Sequence, residues 1–449
     1  MKAVDVREVL EKILPEDVLM EAVRRTGLQS RARKLDALRL LRAMVIAAST
    51  GYGGRQADVM RLYLESGATR VVRGAFYRWF GPALEAIMKT VRDRALAYVA
   101  RQRRDLPGWL GRYVKDWIIV DSSTVKLDDR LIGLYPGAGD YAALKVHKHF
   151  SVGIGTTIAY HLSPAREHDG PHLRIDKSWA GSGLLADLGY ASLALLGDCE
   201  THGVKYVIRL KTNWKPKVQR IDRGTLSRSF TRGTDLDLLI DEGILVLDGK
   251  AIDAEVRVGQ GRKFIGSRLV AVSSPKGYCF YLTNLPRTVG PRQVADLYRV
   301  RWEIESDNKL DKSCLNLDEI GARTGPSVRA MVHASLVGSI IIGLLAHHHR
   351  RRETRPPKDG AERTSAPIHP QTLARVAGCA AVSLAGAMEL KGRAATRRWT
   401  ELAEYLTHLG RDPNWRHRPS ILDQLRGWRI SPGRARTARA PPNGILVPN

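Results

Sequence analysis

The hydrophobic pattern of this chain changes period at Trp117, and that change constrains its fold more than any other feature. Before it, apolar residues recur at helical spacing in LDALRLLRAMVIAAS, in RQADVMRLYLES after the breaker GYGG, and in RGAFYRWFGPALEAIMKTVRDRALAYVARQ. Residues 1 to 112 are therefore expected to be helical. After it come apolar runs of strand length. WIIVDSSTVKL is such a run closed by a carboxylate, as a buried central strand would be. KHFSVGIGTTIAYHLS supplies one or two more strands and GLLADLGY another. A helix near Ser192 to Glu200 then leads to the strand KYVIRLK. Strands followed by a strand–helix–strand unit imply a mixed α/β layer.

Residues 213 to 283 are β-rich. ILVL-DG-KAIDAEVRV predicts a hairpin turning at Asp248 and Gly249. Behind the turn Ile252, Ala254, Val256 and Val258 alternate with Asp253, Glu255 and Arg257, so one face should be buried. The expectation is a small sheet inserted into the larger domain. Gly290-Pro291 then starts a helix. Beyond Arg350, RRRETRPPKDGAERTSAP reads as a linker, with helices from Gln371 to Leu409 and an Arg-rich end. From Arg351 onward there are 18 basic and eight acidic residues. That excess suits a DNA-binding or subunit-contact segment, and equally a solvated tail.

The whole chain carries 72 Lys and Arg against 46 acidic residues, a net charge of +26, which points to a polyanionic partner. Arg70, Arg73 and Arg78 stand among Phe76, Tyr77, Trp79 and Phe80. That mix fits an element touching a DNA backbone, or an amphipathic helix with a solvated basic face. Four scattered cysteines without a CxxC pair argue against a zinc or disulfide framework and fit a reducing cytoplasm. The opening MKAVDVREVLEKILPEDVL is charged and amphipathic, unlike a signal peptide. The most apolar run, ASLVGSIIIGLLA, has 13 residues, too few to span a bilayer, and is expected to be a core helix.

The chemistry concentrates in LYRVRWEIESDNKLDK. At about 100° per residue, Tyr298, Arg301, Glu305 and Lys312 would share one helix face. A carboxylate between two cations suits phosphate and divalent metal better than it suits packing. Glu303, about 200° around the helix from Glu305, would face away. Two other acids end apolar runs: Asp121 after WIIV and Asp187 in LLADLGY. Either alone could simply open a turn. Together the three carboxylates match what two-metal phosphoryl transfer requires, with no His or Cys ligand needed. Asp169, in AREHDG, is a further acid that fits a capped loop better than the metal site. Asp128, Asp129, Asp198 and Glu200 look solvent-facing.

The spacing Y-x2-R-x3-E-x6-K resembles the YREK signature of DDE transposases of the insertion-sequence-four family, the Tn5-like group. DSSTVKL resembles that family's first catalytic block, DLGY its second, and YVIRLKTN and YLTNLP the strands around them. The similarity runs from about Asp116 to Leu345. It implies an RNase H-like α/β core at 113–350 with a β-rich insertion at 213–283. A helical DNA-binding domain at 1–112 and a basic helical region at 351–449 would flank it. By the same resemblance Asp121, Asp187 and Glu305 would be catalytic and hold two Mg²⁺ or Mn²⁺ ions. Tyr298, Arg301 and Lys312 would grip the DNA backbone, Arg209 and Lys211 would add DNA contacts, and Trp214 or Trp302 would stack a flipped base. The implied protein is a cytoplasmic, nucleoid-associated homodimer acting on double-stranded DNA. An RNase H-like nuclease without strand transfer, or an inactive DNA-binding derivative, fits the same residues.

Overall fold

The computed structural model describes residues 1–28, 35–260, 263–353, 366–415, 420–426 and 428. Six helices come first: α1 (Ala3–Ile13), α2 (Glu16–Thr26), α3 (Ala37–Ser49), α4 (Gln56–Glu65), α5 (Arg73–Tyr77) and α6 (Pro82–Ala100). Asp36 caps α3 by accepting from the Arg39 amide, and Pro82 opens α6 where its missing N–H costs nothing. In the basic segment the aromatics turn inward: Phe76 packs on Tyr63, Trp79 and Phe80, while Arg70, Arg73 and Arg78 stay exposed.

The strand region follows as β1 (Trp117–Lys126), β2 (Ala143–Ser151), β3 (Thr156–Pro164), β4 (Gly183–Ala186), α7 (Leu193–Thr201) and β5 (Lys205–Arg209). β1, β2 and β3 form an antiparallel meander, and β4 and β5 run parallel to β1 through the α7 crossover. The next elements are β6 (Lys217–Arg223), β7 (Thr225–Leu226), β8 (Thr234–Asp235), α8 (Leu236–Asp241), β9 (Leu245–Val246), β10 (Ile252–Gln260), β11 (Lys263–Ser274) and β12 (Gly277–Thr283). These do not build a separate small sheet. Through β12 pairing with β5, most of them extend one sheet of ten strands, ordered β3-β2-β1-β4-β5-β12-β11-β10-β6-β8.

The predicted Asp248–Gly249 hairpin is corrected as well. β9 pairs with β7, whereas β10 pairs with β6 and β11, so Asp-Gly joins strands of different sheets. Gly249 does hold the positive φ that the dipeptide signals, and Asp248 accepts from Thr225. The alternation in β10 is as expected, with Ile252, Ala254, Val256 and Val258 buried in the core between the sheet and α7 and α8.

After the sheet come α9 (Pro291–Arg299), α10 (Trp302–Lys309), a π-turn (Leu310–Cys314) and the long α11 (Gly325–Glu353). Four more helices are described: α12 (Pro370–Cys379), α13 (Ala381–Ala387), α14 (Gly392–Leu409) and α15 (Ile421–Leu425). The expected linker and Arg-rich end fall mostly outside the described residues. By length and composition α11 could cross a membrane, but 94% of its apolar window is buried within the protein. It runs against α3 and α6, and its core is shared with the first helices and with α12–α14.

The GYGG break allows a close approach. A Cβ at Gly51, where φ is +63°, would lie 2.2 Å from the Cys314 carbonyl oxygen, and one at Gly54 would lie 2.5 Å from that of Asn316. The helical region is thereby seated on the end of the π-turn that follows α10.

Candidate active site

Register brings the site together. Val120 of β1 pairs with Ala186 of β4, and Ala186 pairs with Ile208 of β5. The next residues along each strand are Asp121, Asp187 and Arg209, so parallel pairing sets them side by side where the sheet opens. α10 lies across this end. Its Asn308 Nδ2 donates to Asp121 Oδ2 at 2.9 Å, and its Glu305 Oε1 accepts from Arg301 Nη2 at 2.7 Å. Burial pushes the Asp121 carboxyl upward; Ser122 and Arg301 oppose this, and the charges of Asp187 and Glu305 add to it. Asp187 is exposed while Asp121 and Glu305 are half-buried, so the site has one open side.

Tyr298 and Arg301 join the same group. The Arg301 guanidinium sits 5.9 Å from the Tyr298 ring centre, and that ring packs on Tyr281 at 5.1 Å. Burial raises the Tyr298 phenol, with Arg301 opposing and Asp187 contributing. Glu303 points away toward Ser420, Asp423 and Arg426, as helix geometry predicts.

The single helix face expected for Tyr298 to Lys312 is not formed. Between α9 and α10 the amides of Arg301, Glu303 and Ile304 bond three residues back, a tightened turn. Beyond α10 the Leu315 amide bonds Leu310, five residues back, which widens the helix. That π-turn breaks the seven-residue step, and Lys312 makes no ion pair with the three acids. A buried cation lies under the same stretch. Lys148 of β2, opposite Asp121 in register and 0% exposed, is held by Asp307 at 2.7 Å and by Asp311. Thr157 also donates to Asp307. This clamp fixes α10 against β2, the strand paired with the one that carries Asp121.

The remaining sequence candidates have surroundings of their own. Trp214 packs beside α7 with Lys211 5.9 Å from its ring, forming a pair of their own. Trp302 is 61% exposed on α10 beside the site, facing solvent. Asp169 was expected to cap a loop; instead it accepts from Ser122, the neighbour of Asp121, and pairs with Lys145 at 3.0 Å. Sequence reading gave no signal for Asn308 or Lys148, because each acts through a contact more than a hundred residues away.

The donor set fits divalent metal. Asp187 and Glu305 both act on the Asp121 carboxyl, and Asn308 Oδ1 beside it is buried without a hydrogen-bond partner among the described residues. All-oxygen donors of this kind suit hard ions such as Mg²⁺ or Mn²⁺.

A family profile described as "Transposase DDE domain" matches residues 112–339, and the chain belongs to that family. The transposase of insertion sequence element IS231B from Bacillus thuringiensis subsp. berliner is 23% identical over 241 residues, covering 44% of this chain and 50% of the relative. The IS231D transposase of B. thuringiensis subsp. finitimus is 25% identical over 241 residues, with 45% and 50% covered. The IS421 transposase of Escherichia coli is 39% identical over 67 residues, 15% of this chain and 18% of the relative. The chain thus spans about half the length of the IS231 relatives. A piggyBac transposase in a synaptic complex with hairpin DNA aligns over 89% of this chain and 85% of its own, at 10% identity and a TM-score of 0.48.

Proposed function

We propose that this chain is a cut-and-paste DNA transposase of the YREK type, with Asp121, Asp187 and Glu305 as its catalytic acids. What supports the proposal is that Asp121 sits partway along β1 where its parallel pairing with β4 stops, Asp187 follows the end of β4, and Glu305 is on the helix tied to β1 through Asn308. In this reading the sheet half β3-β2-β1-β4-β5 is an RNase H-like core within 113–350, and β6 to β12 belong to the insertion at 213–283. Residues 1–112 and the basic 351–449 would bind element ends and form a homodimer on them.

The three carboxylates would hold two Mg²⁺ or Mn²⁺ ions, which when bound activate the attacking oxygen and stabilise the leaving one. Arg301, locked by Glu305 and Tyr298, presents its guanidinium as a fork for a phosphate oxygen. Arg209 lies at the same strand ends and would neutralise the adjoining backbone. Asn308 keeps the Asp121 carboxylate oriented. Trp302, exposed beside Glu305, is the better placed of the two tryptophans to stack a displaced base. Lys211 and Trp214 would contact DNA farther along, with Lys312 outside the acid cluster.

The test is metal-dependent cleavage and joining on double-stranded DNA carrying the inverted repeats that flank the coding gene. Wild type should cut and then join its 3′ ends to a target, and Glu305→Gln should do neither. Cutting without joining would identify a nuclease. Tight binding without chemistry would identify a DNA-binding derivative.

A further inference from the structure

On the sheet face opposite α10, three imidazoles meet. His147 of β2 and His161 of β3 are cross-strand partners, and His172 arrives from the turn Gly170–His172. The three ring centres lie 4.1, 4.5 and 4.9 Å apart, and one ligand nitrogen from each falls within 4.8 Å of the others. Packing three polar rings this closely, one of them 1% exposed, sacrifices hydration without an obvious gain to the core.

The hydrogen bonds separate inner from outer nitrogens. His147 Nε2 meets Ser163 Oγ at 3.0 Å and His172 Nε2 meets Glu167 Oε2 at 2.9 Å, so these outer positions have partners. Inside, His161 Nε2 and His172 Nδ1 lie 2.9 Å apart. Among the described residues His147 Nδ1 is buried with no hydrogen-bond partner, 3.9 Å from Asp169 Oδ1. Outer nitrogens held by a carboxylate or hydroxyl, with inner ones convergent, is how metal-binding histidines are usually oriented.

We infer that His147, His161 and His172 form a binding site for one borderline divalent transition ion of the Zn²⁺ class, with Asp169 as the flanking carboxylate. The His147 and His161 planes are only 8° from parallel, so both in-plane lone pairs cannot meet one ion until a ring turns. His161 and His172 are only partly buried and have room to do so. Ligand nitrogens must then close to about 3.4 Å, the spacing that Zn–N bonds of about 2.0–2.1 Å set in a tetrahedral site. The site is chemically distinct from the carboxylate centre: nitrogen donors favour Zn²⁺ or Co²⁺, where oxygen donors favour Mg²⁺.

The experiment is a Co²⁺ titration of the full chain followed by visible absorption, with Zn²⁺ and Mg²⁺ as competitors. One equivalent should bind, be displaced by Zn²⁺ and resist excess Mg²⁺. Binding should persist in Asp187→Asn and weaken at least about tenfold in His161→Gln and in His172→Gln. In the wild type, Zn²⁺ should protect His161 and His172 from carbethoxylation, read by peptide mass, and Mg²⁺ should not. Absence of stoichiometric Co²⁺ binding by the wild type would overturn the inference. So would binding that survives both histidine substitutions, or that disappears in Asp187→Asn.

Discussion

Lys148 and His147 are consecutive in β2 and almost equally buried, yet they are stabilised in opposite ways. Because side chains alternate along a strand, Lys148 faces α10 and His147 faces the other side of the sheet. Burial alone would strip the Lys148 proton, but Asp307 and Asp311 outweigh it and push the ammonium up, so the charge persists. His147 lies among other imidazoles, and burial followed by the His172 and His161 charges drives it to the neutral form. A buried charge thus survives where the fold supplies counter-charges, and a buried base without adequate ones gives up its proton.

The largest expected effect comes from breaking the charged side. Lys148→Met would leave Asp307 and Asp311 uncompensated and should cost about 3–5 kcal/mol in urea unfolding. Adding Asp307→Asn and Asp311→Asn should recover part of that loss. A marginal effect of Lys148→Met would show that the clamp contributes little.

Asp116 is an intermediate case. It is met by the Ser151 hydroxyl at 2.5 Å and the Gly153 amide at 2.9 Å, with Arg104 farther off at 3.7 Å. Burial pushes its carboxyl up to about 6, against those partners. The unfolded chain loses this proton near the ordinary carboxylate value and the folded chain keeps it until about pH 6. The unfolded state therefore binds fewer protons in that window, and this group's contribution to stability is lost as pH rises from about 4 to 6. The loss is on the order of 2–3 kcal/mol. Asp116→Asn should flatten stability across that window; an unchanged slope would count against it.

Smaller effects belong to the open site. Trp302→Ala should leave the unfolding midpoint unchanged while weakening DNA binding by about 1–3 kcal/mol if the indole stacks a base. Asn308→Ala removes one hydrogen bond to Asp121 and should lower stability by about 1 kcal/mol. It should also reduce Mn²⁺ affinity by roughly tenfold, measurable by electron paramagnetic resonance.

Much of the strand region was legible because its signals are local. Apolar runs such as WIIV and GLLA end at Asp121 and Asp187, and β10 alternates as written. What escaped depends on which partner a segment finds. The Asp-Gly dipeptide predicts a hairpin; Gly249 does take a positive φ, but β9 pairs with β7, a choice no dipeptide encodes. The helix face of Tyr298 to Lys312 is broken by a tightened turn before α10 and by the π-turn after it, and residue spacing alone encodes neither. The histidine cluster has no motif spacing, since sheet register and a separate turn bring its rings together.

In the proposed function Asp121, Asp187 and Glu305 bind the metal that drives strand cleavage. Asp187→Cys tests this most directly, because the residue is exposed and its replacement opens no cavity in the core. A thiolate is a poor ligand for Mg²⁺ and a better one for the softer Mn²⁺. The variant should fail to cut element-end DNA with Mg²⁺ and regain cleavage with Mn²⁺. Full Mg²⁺-dependent cleavage by Asp187→Cys would contradict the assignment.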